Sequence, residues 1–171
     1  MFFLTSAAKK YTLDYMDTFL RNVINTAIES AKKAAEYHEI PVGAVIFSAE
    51  RQEIAAVCAN RTEQDHDPTA HAEILAIRAA CATLKQTRLT DYDIYVTLEP
   101  CPMCATAIAF ARLRRLYFGA YDVKGGGVDH GCRVYQNAAN IHVPEVYGGI
   151  AQTQCEELLT AFFKTLRGAD P

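Results

Sequence analysis

The sequence predicts an α/β protein: a mixed sheet of about five strands with helices on its faces. Helical and strand-like apolar patterns alternate along the 171 residues, which implies a sheet covered by helices. Two early strand patterns are separated by a short polar turn, and such a hairpin makes the sheet mixed rather than all parallel. Half of the residues are hydrophobic, enough for a buried core and too many for a disordered or fibrous chain.

The elements follow in order. Residues 1–15 show no clear period and read as a loosely ordered N-terminal extension, with 16–171 as one domain. Leu20, Val23, Ile24, Ala27, Ile28, Ala31, Ala34 and Ala35 keep the i, i+3, i+4, i+7 spacing of an amphipathic helix, which Pro41 stops. Val42 to Phe47 reads as a buried strand, Glu50-Arg51-Gln52 as a turn, and Ile54 to Cys58 as the returning strand. The polar stretch from Asn60 ends in Asp67-Pro68-Thr69, a turn that leads into a helix from about His71 to Leu84. Tyr92 to Leu98 is a strand, rich in β-branched and aromatic side chains. Pro100 and Pro102 frame the start of a helix running to about Arg112. Leu116 to Gly119 is a fourth strand, 122–142 a long loop, Glu145 to Tyr147 a short fifth strand, and Gln154 to Leu166 a closing helix.

Composition narrows the function classes. Lys and Arg number 17 against 20 Asp and Glu, so there is no overall basic signature of nucleic-acid binding. Residues 76–135 nevertheless carry 8 basic and 5 acidic side chains, with Arg112, Arg114 and Arg115 grouped as candidate phosphate contacts. No apolar run approaches the roughly 18 residues that span a bilayer. The stretch Met1 to Leu4 is short for a signal peptide, and Lys9 and Lys10 follow it instead of preceding it. The expectation is a soluble cytoplasmic protein with no membrane partner. Six cysteines in a chain of this length do not make a disulfide scaffold; the one close pair, Cys101 and Cys104, suits a metal or a catalytic role.

Two segments carry chemistry, each opening a predicted helix: Pro68-Thr69-Ala70-His71-Ala72-Glu73 and Glu99-Pro100-Cys101-Pro102-Met103-Cys104. Together they read H-x-E followed by P-C-x-x-C, with 27 residues between Glu73 and Cys101. One imidazole and two thiolates supply three zinc ligands and leave the fourth tetrahedral position for water. His66, His130 and His142 are numerous enough to fill it, so counting alone leaves a closed structural site open. At i and i+3 the two sulfurs share a helix face, at an N-terminus whose free N–H groups favour thiolates. His71 and Glu73 are two apart and would diverge on a regular helix. Both reach one site only if it lies at the helix mouth.

The joined motif is that of zinc nucleobase deaminases. The resemblance extends through Ile40-Pro41-Val42-Gly43-Ala44-Val45-Ile46, Asn60-Arg61, Asp67 to Ile74, Tyr95 to Cys104, Phe118-Gly119-Ala120, and Leu158, Leu159, Phe162 and Phe163. Over about residues 18–167 the chain resembles the bacterial tRNA-specific adenosine deaminases. That resemblance implies a cytidine deaminase-like three-layer α/β/α sandwich and a homodimer with one Zn²⁺ per subunit. It also implies hydrolysis of the wobble adenosine of a tRNA anticodon stem-loop to inosine, at carbon 6 of adenine. His71, Cys101 and Cys104 match the family's zinc ligands, and Glu73 its proton shuttle to the ring nitrogen and then the departing ammonia. Asn60 matches the asparagine on the flipped base, and His142 falls where the family approaches its substrate. The tail from Phe162 to Pro171 departs from the pattern, with two basic residues where the family often has a basic helix. Two other readings remain: a zinc deaminase of a small substrate such as guanine, cytosine or a nucleotide, and a non-catalytic zinc-stabilised nucleic-acid-binding module. Glu73 speaks against the latter, since structural zinc does not need it.

Overall fold

The computed structural model describes residues 18–136 and 141–168; the expected extension over 1–15 lies outside them. The order is α1 (Thr18–Glu36), β1 (Gly43–Ser48), β2 (Glu53–Ala59), α2 (Thr62–Asp65), α3 (Ala72–Leu84), β3 (Asp93–Leu98), α4 (Pro102–Phe110), β4 (Arg115–Ala120), β5 (Glu145–Tyr147) and α5 (Gln152–Gly168). The strands form one sheet in the order β2-β1-β3-β4-β5. β1 is antiparallel to both β2 and β3, whereas β3–β4 and β4–β5 are parallel. The expected mixed five-stranded sheet is therefore present.

Two apolar layers sandwich it. Ala44 and Ile46 of β1, Ile94 and Val96 of β3, and Leu116 and Phe118 of β4 meet Ala72, Ala76 and Ala80 of α3 and Ala105 and Ile108 of α4. On the opposite face Val45, Phe47 and Tyr95 meet Val23, Ile24, Ala27 and Ile28 of α1 and Cys155 of α5. Alternate side chains of a strand point to opposite faces, so the central strands β1 and β3 are apolar on both. Alanines on the inner stripe of α3 let that helix lie close to the sheet. Gly43 does the same for α1: a Cβ there would overlap the Ala27 carbonyl. Its N–H donates to Thr97 Oγ1 at 3.0 Å, which fixes β1 on β3.

Three boundaries differ from expectation. α1 ends at Glu36, ahead of Pro41. His38 adopts φ 62° and the Glu39 N–H closes back on the Ala34 carbonyl, a left-handed helix stop. α4 ends at Phe110, and Arg112 takes φ 54° in the turn to β4. The segment read as polar turn contains the four-residue α2. Its N-terminus is capped by the fully buried Glu39, whose carboxylate accepts from the Glu63 and Gln64 N–H groups and the Thr62 hydroxyl.

Candidate active site and metal centre

α3 and α4 lie on the same face and open toward each other. The start of α3 is prepared by an Asp67 turn, in which Oδ1 accepts from the Thr69 N–H (2.8 Å) and hydroxyl (2.7 Å). The Ala72 N–H, first in the helix, donates to Oδ1 of the buried Asn60 at 3.0 Å. His71 stands just before the helix in extended conformation, φ −71° and ψ 150°. That backbone swing answers the spacing problem. His71 leaves the helical path and Glu73 sits in the first turn, so both reach the mouth of α3 although they are two residues apart.

Cys101 repeats the arrangement at α4. It is extended (φ −67°, ψ 169°), Pro102 occupies the first helical position, and Cys104 lies in the first turn. His71 Nδ1 is 3.7 Å from Cys101 Sγ and 3.5 Å from Cys104 Sγ, and the three donor atoms lie within 4.8 Å of one another. A tetrahedral zinc with its usual N and S bond lengths requires donor separations of about 3.6 Å. The residues fit the ion, and no fourth His, Cys, Asp or Glu joins the cluster among the described residues.

The electrostatics suit a cation. A hydrogen bond from Cys104 lowers the Cys101 thiol to about 4, against its burial and with help from His71. That thiolate, together with burial and the Glu73 charge, pushes the Cys104 thiol up. The first proton therefore leaves easily and the second is held, until a divalent ion replaces it. Glu73 is 3% exposed, and burial pushes its carboxyl up to about 7, the range a group that both takes and gives protons needs.

The remaining predicted residues lie elsewhere. Arg112, Arg114 and Arg115 follow the far end of α4, about 13 Å from its start at 1.5 Å per residue. Arg114 and Arg115 are each tied into an ion pair. Arg114 makes a two-pronged ion pair with the wholly buried Asp93, Nε to Oδ1 and Nη2 to Oδ2 at 2.9 Å each. Arg115 Nε pairs with Glu145 at 2.8 Å across β4 and β5, and Arg112 is exposed. His142 Nε2 is 2.7 Å from the Leu113 carbonyl oxygen at that same far end, so the structure does not bring it to the triad. His66 is exposed at the end of α2, and His130 is bound to Glu99.

Sequence reasoning missed Glu99 and Tyr135. Glu99 precedes the cysteine motif and is buried, and its partners begin 23 residues later. Tyr135 donates to the Ala105 carbonyl at 2.8 Å. Burial raises its phenol, with the charges of Cys104 and Glu73 adding, so the ring stands beside the site. Glu99 stands in the cysteine segment without a role of its own and Tyr135 in no pattern, because both act through contacts made at long range.

A family profile described as the cytidine and deoxycytidylate deaminase zinc-binding region matches residues 17–120. Fold and site thus define a zinc-dependent deaminase of that class. The tRNA-specific adenosine deaminase of Agrobacterium fabrum is 49% identical over 141 residues, 82% of this chain and 91% of the relative. That of Rickettsia bellii is 46% identical over 141 residues, 82% of this chain and 97% of the relative. A solved structure from a study of A-to-I editing by tRNA:A34 deaminases at the wobble position of transfer RNA aligns with a TM-score of 0.78 and 46% identity. It covers 81% of this chain and 99% of the other. The chain belongs to the family of tRNA-specific adenosine deaminases.

Proposed function

We propose that this chain converts the wobble adenosine of a tRNA anticodon to inosine and releases ammonia. His71, Cys101 and Cys104 hold zinc, and Glu73 moves the protons. The observation that carries this reading is the meeting of two helix mouths, which sets three ligand atoms within 4.8 Å beside a buried carboxylate. Zinc in a three-ligand site lowers the pKa of water to about 7 and so supplies a nucleophile at neutral pH. With zinc bound, Glu73 would take the two protons of the attacking water in turn, giving one to the ring nitrogen and the other to the amine as the C6–N bond breaks. Asn60 spends its oxygen on the Ala72 N–H, which leaves its amide N–H donors for the acceptor atoms of the base. His71 and Cys101 are only partly buried. That partial exposure supports a site reached from the surface by a base flipped from an RNA loop.

Incubation of the zinc-loaded protein with an anticodon stem-loop and, separately, with free adenine, guanine and cytosine tests the proposal. Inosine in the stem-loop is the expected product. Ammonia from a free base with no change in the RNA would replace this reading by a small-substrate deaminase. No described helix is long and apolar enough to cross a membrane, and a tRNA substrate supports a cytoplasmic enzyme. We also propose a homodimer. The resemblance to the tRNA-specific adenosine deaminases supports it, and Phe110 at the end of α4, 68% exposed, is free to meet a second copy. Light scattering that returns the 18.9 kDa of one chain would overturn it.

A further inference from the structure

We propose that Glu99 and His130 are positioning residues for Cys101, clamping segment 122–130 as a buttress against the backbone of that ligand. The proposal rests on the zinc-binding reading above. Cys101 differs from the other two ligands in what holds its backbone. Cys104 lies inside α4, and the His71 N–H donates to the Thr69 carbonyl at 2.8 Å within the turn before α3. Cys101 is extended and ahead of its helix; its carbonyl accepts from the Ala105 N–H at 2.9 Å, and the Pro100 peptide before it is held from outside.

That support is the loop. The Gly127 N–H donates to the Pro100 carbonyl at 2.8 Å, and the Gly127 carbonyl accepts from the Val134 N–H at 2.8 Å. A Cβ on Gly127 would stand 2.6 Å from Pro102 N and 2.9 Å from the Cys101 carbonyl carbon. The chain lies flat on the ligand's backbone at a distance only glycine allows. Glu99 fixes this approach. Its Oε1 accepts from the Val128 (3.2 Å), Asp129 (2.9 Å) and His130 (2.9 Å) N–H groups. Its Oε2 accepts from the Asp122 N–H at 3.1 Å and meets His130 Nδ1 at 2.8 Å. The His130 ring packs edge-on against Tyr121, centroids 5.7 Å apart. One buried carboxylate thus gathers both ends of the segment, and none of these bonds involves the triad itself.

Groups that orient a metal ligand from outside typically change metal affinity about 10- to 100-fold when removed. The test is zinc release from the loaded protein to a colorimetric chelator, at a temperature well below unfolding. Glu99→Gln and His130→Ala should release zinc about tenfold faster or more. His130→Asn, which keeps a donor near the Nδ1 position, should restore slow release. Arg114→Ala weakens the fold at the far end of α4 and should release zinc at the parental rate. His130 is partly exposed, so His130→Ala reports even if Glu99→Gln does not fold. Parental release in His130→Ala would overturn the proposal, as would equally fast release in His130→Asn or Arg114→Ala. A parent protein that never takes up zinc would overturn the metal reading instead.

Discussion

Asn60 divides its two ends between fold and chemistry. Its oxygen holds the first N–H of α3, and its nitrogen faces the role proposed for it on the base. Asn60→Asp separates the two, because the carboxylate still accepts from Ala72 but no longer donates. Zinc content and melting temperature should stay near parental while kcat/KM on the stem-loop falls about tenfold or more. Metal analysis, thermal melts and kinetics read these three quantities. Glu73 supplies the complementary case. It is not a ligand, so Glu73→Ala should retain zinc while turnover drops by roughly 10²- to 10⁴-fold, the usual worth of a positioned acid–base group. Full activity in that variant would remove Glu73 from the proton path.

Among the elements, α3 and α4 were legible as helices, and the demand that His71 and Glu73 share a helix mouth was legible from their spacing alone. Helix α2 was not. Four residues cannot sustain a helix by propensity, and the cap comes from Glu39, more than twenty positions earlier. The arginines after α4 carried the opposite ambiguity: a basic group in sequence reads equally as phosphate contact or as an ion-paired corner. In space Arg114 pairs with Asp93, which lies wholly buried on β3. Arg114→Ala leaves that carboxylate uncompensated and should cost about 3 kcal/mol in urea unfolding. A loss under about 1 kcal/mol, the worth of a surface pair, would mean that water reaches Asp93.

At the scale of the whole molecule, neither apolar layer draws on His71, Cys101 or Cys104. Removing zinc should therefore leave the far-ultraviolet circular dichroism spectrum folded and lower the melting temperature by about 5–10 °C. An ion at a hundred times its dissociation constant adds about 2.7 kcal/mol, and each kcal/mol moves a domain of this size by about 2–4 °C. Activity should vanish with the metal and return with it. A collapsed spectrum would make zinc part of the core instead of a guest in it. The sheet order was only partly legible. Alternating patterns announced mixed strands, but nothing local says that β3 inserts beside β1, since that neighbourhood is set by pairings such as Ala44 with Val96.

The same insertion dictates when the ion can be captured. His71 and Cys101 stand 30 positions apart in the chain, on opposite sides of β3, and they face each other only once that strand has slotted between β1 and β4. A nascent chain on the ribosome holds no three-donor cradle until well over half its length has emerged, because long-range strand pairing comes late. Metal loading thus follows the pairing of β3 with its neighbours rather than seeding it.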